Sequence, residues 1–238
     1  MKAANEQLVI VTGASSGIGL ALVSQLLEAG YHVLGIARHF DDPMAEHERF
    51  NFAAMDLSDI ASLPAQLTEL VESLNLPVAA VFNNAGVGKI GFLEQLSWDE
   101  LQVCMNTNFL SHAMLCKALI PKLKKQGFGL IAFTGSEAAL SGSRQGSIYC
   151  ASKFALRGFA QALREECNRA GVRVSIINPG ATDTAFFDDL HYQPGAAPEN
   201  AITPEQIAST FLFMLESPPT AVIDEVTLTP LSRVWERK

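Results

Sequence analysis

The sequence predicts an α/β fold: a parallel sheet of about seven strands, doubly wound, with helices on both faces. Three observations carry this reading. Short apolar runs of strand length alternate with stretches of helical periodicity almost from end to end, the pattern of strand, crossover helix and next strand. The first of these units passes from strand to helix through a glycine-rich turn, as Rossmann-like folds do. A chain of 238 residues with 48% hydrophobic content can bury the core of one large α/β domain spanning 1–238.

Taken in order, Leu8 to Thr12 is an apolar run ended by glycine and reads as a buried strand. After the turn, Leu20, Leu22, Val23, Leu26 and Leu27 recur at helical spacing until Gly30 stops them. A second strand follows from His32 to Ala37 and a third near Phe50 to Met55, then a helix near Ile60 to Leu74 and a strand from Val78 to Phe82. A long helix from about Leu101 to Lys125 precedes the strand Leu130 to Thr134. The remaining elements are a helix bearing Tyr149, a strand Arg173 to Ile177, a loop to about Asn200, a helix Pro204 to Glu216 and a last strand near Val222 to Thr229. No repeat, low-complexity tract or linker divides them.

Composition narrows the function classes. Net charge is −8 with a pI near 5.1, which argues against a nucleic-acid or anionic-membrane surface, since both need clustered Lys and Arg. Lys122, Lys124 and Lys125 form a basic cluster expected in the last turn of a helix, facing solvent and opposing its dipole. Cys104, Cys116, Cys150 and Cys167 have neither zinc-ligand spacing nor the look of a disulfide framework, so no metal is expected. Reduced thiols, no charged-then-apolar leader and no apolar run of membrane length together predict a soluble cytoplasmic protein.

Two motifs carry chemistry. In the turn that includes Gly13, Ser15, Ser16, Gly17, Ile18 and Gly19, the first glycine suits a tight turn, the second lets backbone approach a phosphate and the third lets the helix pack close on the strand. The free amides opening the helix then face an anion. Arg38 follows the second strand, where such a fold reads the adenosine ribose. A carboxylate there would bind ribose hydroxyls, whereas a guanidinium suits a 2′-phosphate and so predicts NADP(H); the competing use is an ion pair with Asp41 or Asp42. Farther on, Tyr149 and Lys153 stand four residues apart on one helix face. An ammonium beside a phenol is expected to lower its pKa from about 10 and make it a useful acid-base group.

With Thr12-Gly-x-x-x-Gly-Ile-Gly19, Asp56-Leu57, Asn83-Asn-Ala-Gly86, Asn108, Ser136, Tyr149-x-x-x-Lys153 and Asn178-Pro-Gly180 followed by Thr184, the chain resembles the short-chain dehydrogenase/reductase family, in order and spacing, over nearly its whole length. The resemblance implies that Ser136 holds the substrate oxygen, that Tyr149 exchanges the proton, and that Lys153 bonds the nicotinamide ribose while tuning Tyr149. It implies a proton-relay water at Asn108, with Asn106 as rival. Asp56 and Leu57 would meet the adenine, Asn84, Ala85 and Gly86 the adenosine ribose, and Pro179, Gly180, Thr182 and Thr184 the nicotinamide end.

Residues 185–200 are long for a connection and are expected to act as a substrate lid, with Phe186, Phe187, Leu190 and Tyr192 forming an apolar wall. His191 reads as an incidental loop residue and His112 as a helix-surface or interface residue. Two departures from the family pattern stand out: Ser15 and Ser16 occupy places where many NADP-using relatives carry a basic residue, and the C-terminal stretch lacks the glycine-rich ending of many tetrameric ones. A homodimer or homotetramer is expected, with Ala151, Ala155, Phe159 and Ala162 as contact surface. The activity implied is an NADPH-dependent carbonyl reductase or alcohol dehydrogenase acting on a small apolar ketone, aldehyde or secondary alcohol. The alternatives are an NAD-dependent alcohol dehydrogenase of the same family and a non-catalytic NADP(H)-sensing regulator.

Overall fold

The computed structural model describes residues 3–238. Seven parallel strands form the central sheet: β1 (Leu8–Thr12), β2 (His32–Ala37), β3 (Phe50–Ala54), β4 (Val78–Asn83), β5 (Gly129–Thr134), β6 (Val172–Pro179) and β8 (Glu225–Leu228), in the order β3-β2-β1-β4-β5-β6-β8. The order reverses between β1 and β4, which opens a crevice at their carboxyl ends, the place where open α/β sheets bind ligands. β1, β4 and β5 are buried throughout, which is why they read as continuous apolar runs.

Helices cover both faces. On one, α2 (Leu63–Ser73), α4 (Ser111–Gln126) and α5 (Ser147–Cys167) bury Leu67, Leu115, Leu119, Leu156 and Leu163 against Ile10, Val81, Ile131 and Phe133. On the other, α1 (Gly17–Glu28) and α6 (Pro204–Glu216) bury Leu22, Leu26, Ile207, Phe211 and Met214, with Phe211 edge-on to Phe82 at 4.8 Å. Local chemistry fixes the helix ends: Thr203 and Gln206 make a capping box around Pro204, and Gly127, at φ 78°, ends α4.

Three features depart from the sequence expectations. The long helix spans Trp98 to Gln126 as α3 (Trp98–Met105), a π turn (Asn106–Leu110) and α4, so Asn108 sits in a π turn rather than a regular helix. Such turns often mark functional sites. Lys122 does not face solvent with Lys124 and Lys125; its ammonium donates to Leu74 O at 2.7 Å, because a long side chain reaches an open carbonyl. The connection before Asn200 is also partly ordered: β7 (Tyr192–Pro194) pairs antiparallel with β9 (Trp235–Arg237), a strand the local pattern does not disclose.

Candidate active site

At the carboxyl end of β1 the chain makes a turn that only glycine fits. Gly13 and Gly17 adopt φ +64° and +51°, and a Cβ on Gly19 would stand 2.0 Å from Gly13 O. Ser16, the residue before α1, makes no side-chain cap, so the first amides of that helix are left for an anion. Thr184 leans over this turn, its methyl 3.0 Å from where a Cβ on Gly17 would lie, bringing the loop after β6 against the glycines.

Beside the turn lies a cleft of about 400 Å³ lined by Arg38, Asp56, Asp59, Ser62 and Gln66 among others. Arg38 is exposed and, among the described residues, forms no ion pair; Asp42 instead accepts from Met44 N at 2.9 Å. Asp56 accepts from Ser58 Oγ and N at 2.7 and 2.9 Å, and these bonds, helped by the Arg38 charge, hold its carboxyl below the usual range. Leu57, expected beside Asp56 at the adenine, packs its side chain into the core.

The end of β4 is tied to its neighbours by Thr12, which opens the glycine motif and carries no role of its own in the sequence expectations. Thr12 Oγ accepts from Asn84 N (2.9 Å) and Ala85 N (3.0 Å), while the Asn84 side chain donates to Thr12 O (3.2 Å) and accepts from Thr134 Oγ (2.9 Å). Asn84 therefore staples the ends of β1, β4 and β5, and its amide is committed to scaffold. Gly86 remains exposed. At the end of β6, Gly180 N donates to Leu228 O, Thr182 is buried, and Pro179 completes the strand.

Tyr149, Lys153 and Ser136 converge as expected. Ser136, just past β5, accepts from Ala138 N at 3.1 Å and shares a side-chain hydrogen bond with Tyr149. Lys153 is 3% exposed; its ammonium donates to Thr134 O at 2.8 Å and lies 5.9 Å from the Tyr149 ring centre. The electrostatics invert the expectation of an acidified phenol. Although Tyr149 stays partly exposed, the density of protein around it pushes its pKa up to about 12, with only the Ser136 bond opposing. Burial also pushes Lys153 down to about 8. Desolvation disfavours both charged forms, so the pair rests as neutral phenol beside a weakened ammonium.

Asn108 rather than Asn106 reaches this group. The Asn108 amide accepts from Val87 N (2.8 Å) and donates to Val87 O (3.1 Å) and Ser152 Oγ (3.0 Å), and Ser152 Oγ donates to Tyr149 O (2.7 Å). Asn106 turns away to Ser58 O at 3.0 Å. Ser152, inside Tyr-x-x-Ser-Lys, is a functional neighbour that sequence reasoning missed; its place one turn from Tyr149 was the available signal. His112 is corrected: it is fully buried, one turn beyond Asn108, not on a helix surface. Among the described residues neither ring nitrogen finds a hydrogen bond of good geometry, though the Ala85 backbone lies close enough to act against the shift; burial, then the Lys153 charge, pushes it down to about 3, so it stays neutral.

The loop after β6 folds over Tyr149 and Gly88. The Phe186 ring lies 5.6 Å from the Tyr149 ring and presses on Gly88, where a Cβ would come within 2.6 Å of it. Phe187 and Leu190 are buried and tie the loop down, leaving Phe186 and Tyr192 as the half-exposed part of the expected wall; His191 points to solvent.

Comparison with known proteins agrees with this architecture. Residues 7–194 match the protein family described as short chain dehydrogenase. The uncharacterized oxidoreductase YbbO of Escherichia coli is 32% identical over 93% of this chain and 80% of its own length. Sepiapterin reductase of Chlorobaculum tepidum is 30% identical over 95% of this chain and 97% of its own. Among solved structures, an alcohol dehydrogenase of the archaeon Thermococcus sibiricus, complexed with 5-hydroxy-NADP, superposes with a TM-score of 0.84 at 28% identity, covering 96% of this chain and 98% of that one.

Proposed function

The chain belongs to the short-chain dehydrogenase family of oxidoreductases, and on that premise we propose that it is an NADPH-dependent reductase of small ketones or aldehydes, reversible toward secondary alcohols. The observation that carries this reading is the convergence of Ser136, Tyr149 and Lys153 beside the glycine turn, with Tyr149 held as the neutral acid.

The residues fit the cofactor. Glycines that a single Cβ would obstruct, followed by the uncapped start of α1, suit a pyrophosphate, and Arg38 at the rim of the adjacent cleft suits a 2′-phosphate. Asp56 and the backbone near Leu57, Ala85 and Gly86 would take the adenosine half, while Lys153, Pro179, Gly180, Thr182 and Thr184 would take the nicotinamide half. When bound, NADPH supplies the hydride. Ser136 donates to the substrate oxygen and stabilises its developing charge. Tyr149 gives that oxygen its proton, and a phenol still protonated at neutral pH is the competent form for reduction. Lys153, poised near 8, can return the proton, and Asn108 holds the helix that carries both. The 185–200 loop acts as the lid. Of the expected contact residues Phe159 packs instead against Phe109 and Phe133 and Ala155 is half-buried, so a dimer or tetramer would use Ala151 and Ala162 with exposed Phe154 on α5, and the cytoplasm is the expected compartment.

The test is Tyr149→Phe with NADPH oxidation followed over a panel of aryl and alkyl carbonyls. Loss of one positioned proton donor lowers kcat by about 10²- to 10⁴-fold. Undiminished turnover would remove Tyr149 from its role.

A further inference from the structure

The proposed reductase assigns no role to one ordered element, the stretch after β8, which runs back across the molecule to the active-site loop. We propose that residues 231–238 form a strap that completes the substrate site, and that Trp235 is the positioning residue through which the strap sets the aromatic wall over Tyr149 for a planar, apolar carbonyl compound. The identity of the substrate class rests on the function proposed above; the strap itself does not.

Four independent contacts place the strap. β9 pairs with β7 in a defined register, Tyr192 opposite Arg237, Gln193 opposite Glu236 and Pro194 opposite Trp235. The Lys238 ammonium donates to Phe187 O at 2.6 Å and Asp188 O at 3.2 Å, holding the carbonyls at the end of the short turn Ala185–Phe187, the first of which also accepts from Leu190 N at 3.0 Å. Main-chain bonds from Gly195 N to Val234 O and from Ser232 N to Glu199 O (both 2.9 Å) extend the seam. Arg233 pairs at 2.6 Å with Glu137, the residue next to Ser136.

Trp235 joins this seam to the chemistry. Its ring is 5.3 Å from Tyr192 and 5.9 Å from Phe187; Phe187 is 5.3 Å edge-on from Phe186, and Phe186 is 5.6 Å from Tyr149. Rings therefore run without a break from the strap to the reacting phenol. A two-stranded ribbon is marginal alone, so the pairing depends on this packing. Trp235 remains 52% exposed and the Arg233–Glu137 pair sits at the surface, so the strap can release without unfolding the core. A wall built of ring faces accepts flat apolar groups and offers little to a branched polyol.

The experiment uses the full chain as Trp235→Ala, Trp235→Phe and Arg233→Ala, with acetophenone-type and short alkyl ketones and NADPH. Losing two ring contacts raises the aryl ketone KM of Trp235→Ala about tenfold while the NADPH KM stays within about twofold. Trp235→Phe restores most of the loss, and Arg233→Ala moves the same way by less. In parallel, chymotrypsin cleavage within 185–194 accelerates in Trp235→Ala and not in Trp235→Phe. Unchanged aryl ketone KM with unchanged cleavage overturns the strap. Accelerated cleavage in a protein with no NADPH turnover at all upholds the strap and refutes the reductase.

Discussion

Replacing Asn108 by alanine separates scaffold from chemistry at this site. The amide is fully buried and makes four hydrogen bonds: two with the Val87 main chain, one with Ser152 and a weaker one to Cys104 Sγ at 3.5 Å. Truncation strands the Val87 N–H and carbonyl and takes a donor from the Ser152 hydroxyl, which keeps its bond to Tyr149 O. At about 1 kcal/mol net for each bond to Val87 and Ser152 the loss is about 3 kcal/mol. For a chain of this size that lowers the thermal midpoint by roughly 6–12 °C. Urea unfolding with an unchanged m-value, together with a thermal scan, measures it. Because Ser152 also bonds Tyr149 O, kcat falls as the helix carrying Tyr149 and Lys153 loses its tie to the Val87 loop. A variant within about 0.5 kcal/mol of the parent, a shift typical of neutral surface changes, refutes the scaffold argument. A kcat loss accompanying that result would leave the relay as the whole role of Asn108.

Other consequences concern charge and fit. Lys153 falls from 10.5 to about 8 on folding, a penalty of about 3 kcal/mol on its charged form. Below pH 8 both states hold the proton and the penalty is complete; as pH rises from 8 toward 10 the folded state has released a proton that the unfolded chain keeps, so stability rises. Above pH 10 the raised Tyr149 acts in the opposite sense, since the unfolded phenol ionises first and stability declines. Lys153→Met should abolish NADPH turnover, raise stability at pH 7 by less than the full penalty because Thr134 O loses its donor, and erase the rise between pH 8 and 10; urea titrations at pH 7 and 9.5 decide it. Arg38→Ala should lower the NADPH to NADH ratio of kcat/KM by about 10- to 100-fold, the worth of one or two charge-assisted bonds, and an unmoved ratio would leave the 2′-phosphate unread by Arg38. Gly19→Ala would set a Cβ 2.0 Å from Gly13 O, forcing the turn open. NADPH affinity by fluorescence titration should fall by at least about tenfold, with about 1–3 kcal/mol of stability lost to overpacking; unaltered affinity would mean that the turn does not cradle the cofactor.

Much of this was legible in one dimension. The strands β1, β4 and β5 announce themselves because burial on two faces demands apolar side chains at nearly every position, and Pro204 and Thr203 mark the start of α6 by capping chemistry alone. Tyr149 and Lys153 share a side because of helical periodicity, and the glycine turn is fixed by backbone angles that other residues avoid. What failed was whatever depends on surroundings. The Tyr149–Lys153 spacing gives two neighbours but not the dielectric around them, and it is the dielectric that sends the phenol up rather than down. His112 looks like any polar residue on an amphipathic helix until the π turn and the Ala85 loop enclose it.

By itself, then, the amino-acid order determined the α/β alternation, the glycine turn and the shared helix side of Tyr149 and Lys153, since each arises from local geometry and from residue types that few other roles require. Tertiary structure decided which charges survive, that Asn84 and Asn108 are spent as staples, and that a strand near residue 235 closes over a loop near residue 192. Those outcomes depend on partners far apart along the chain, and a periodic pattern holds no record of which distant atoms will share, or exclude, the same water.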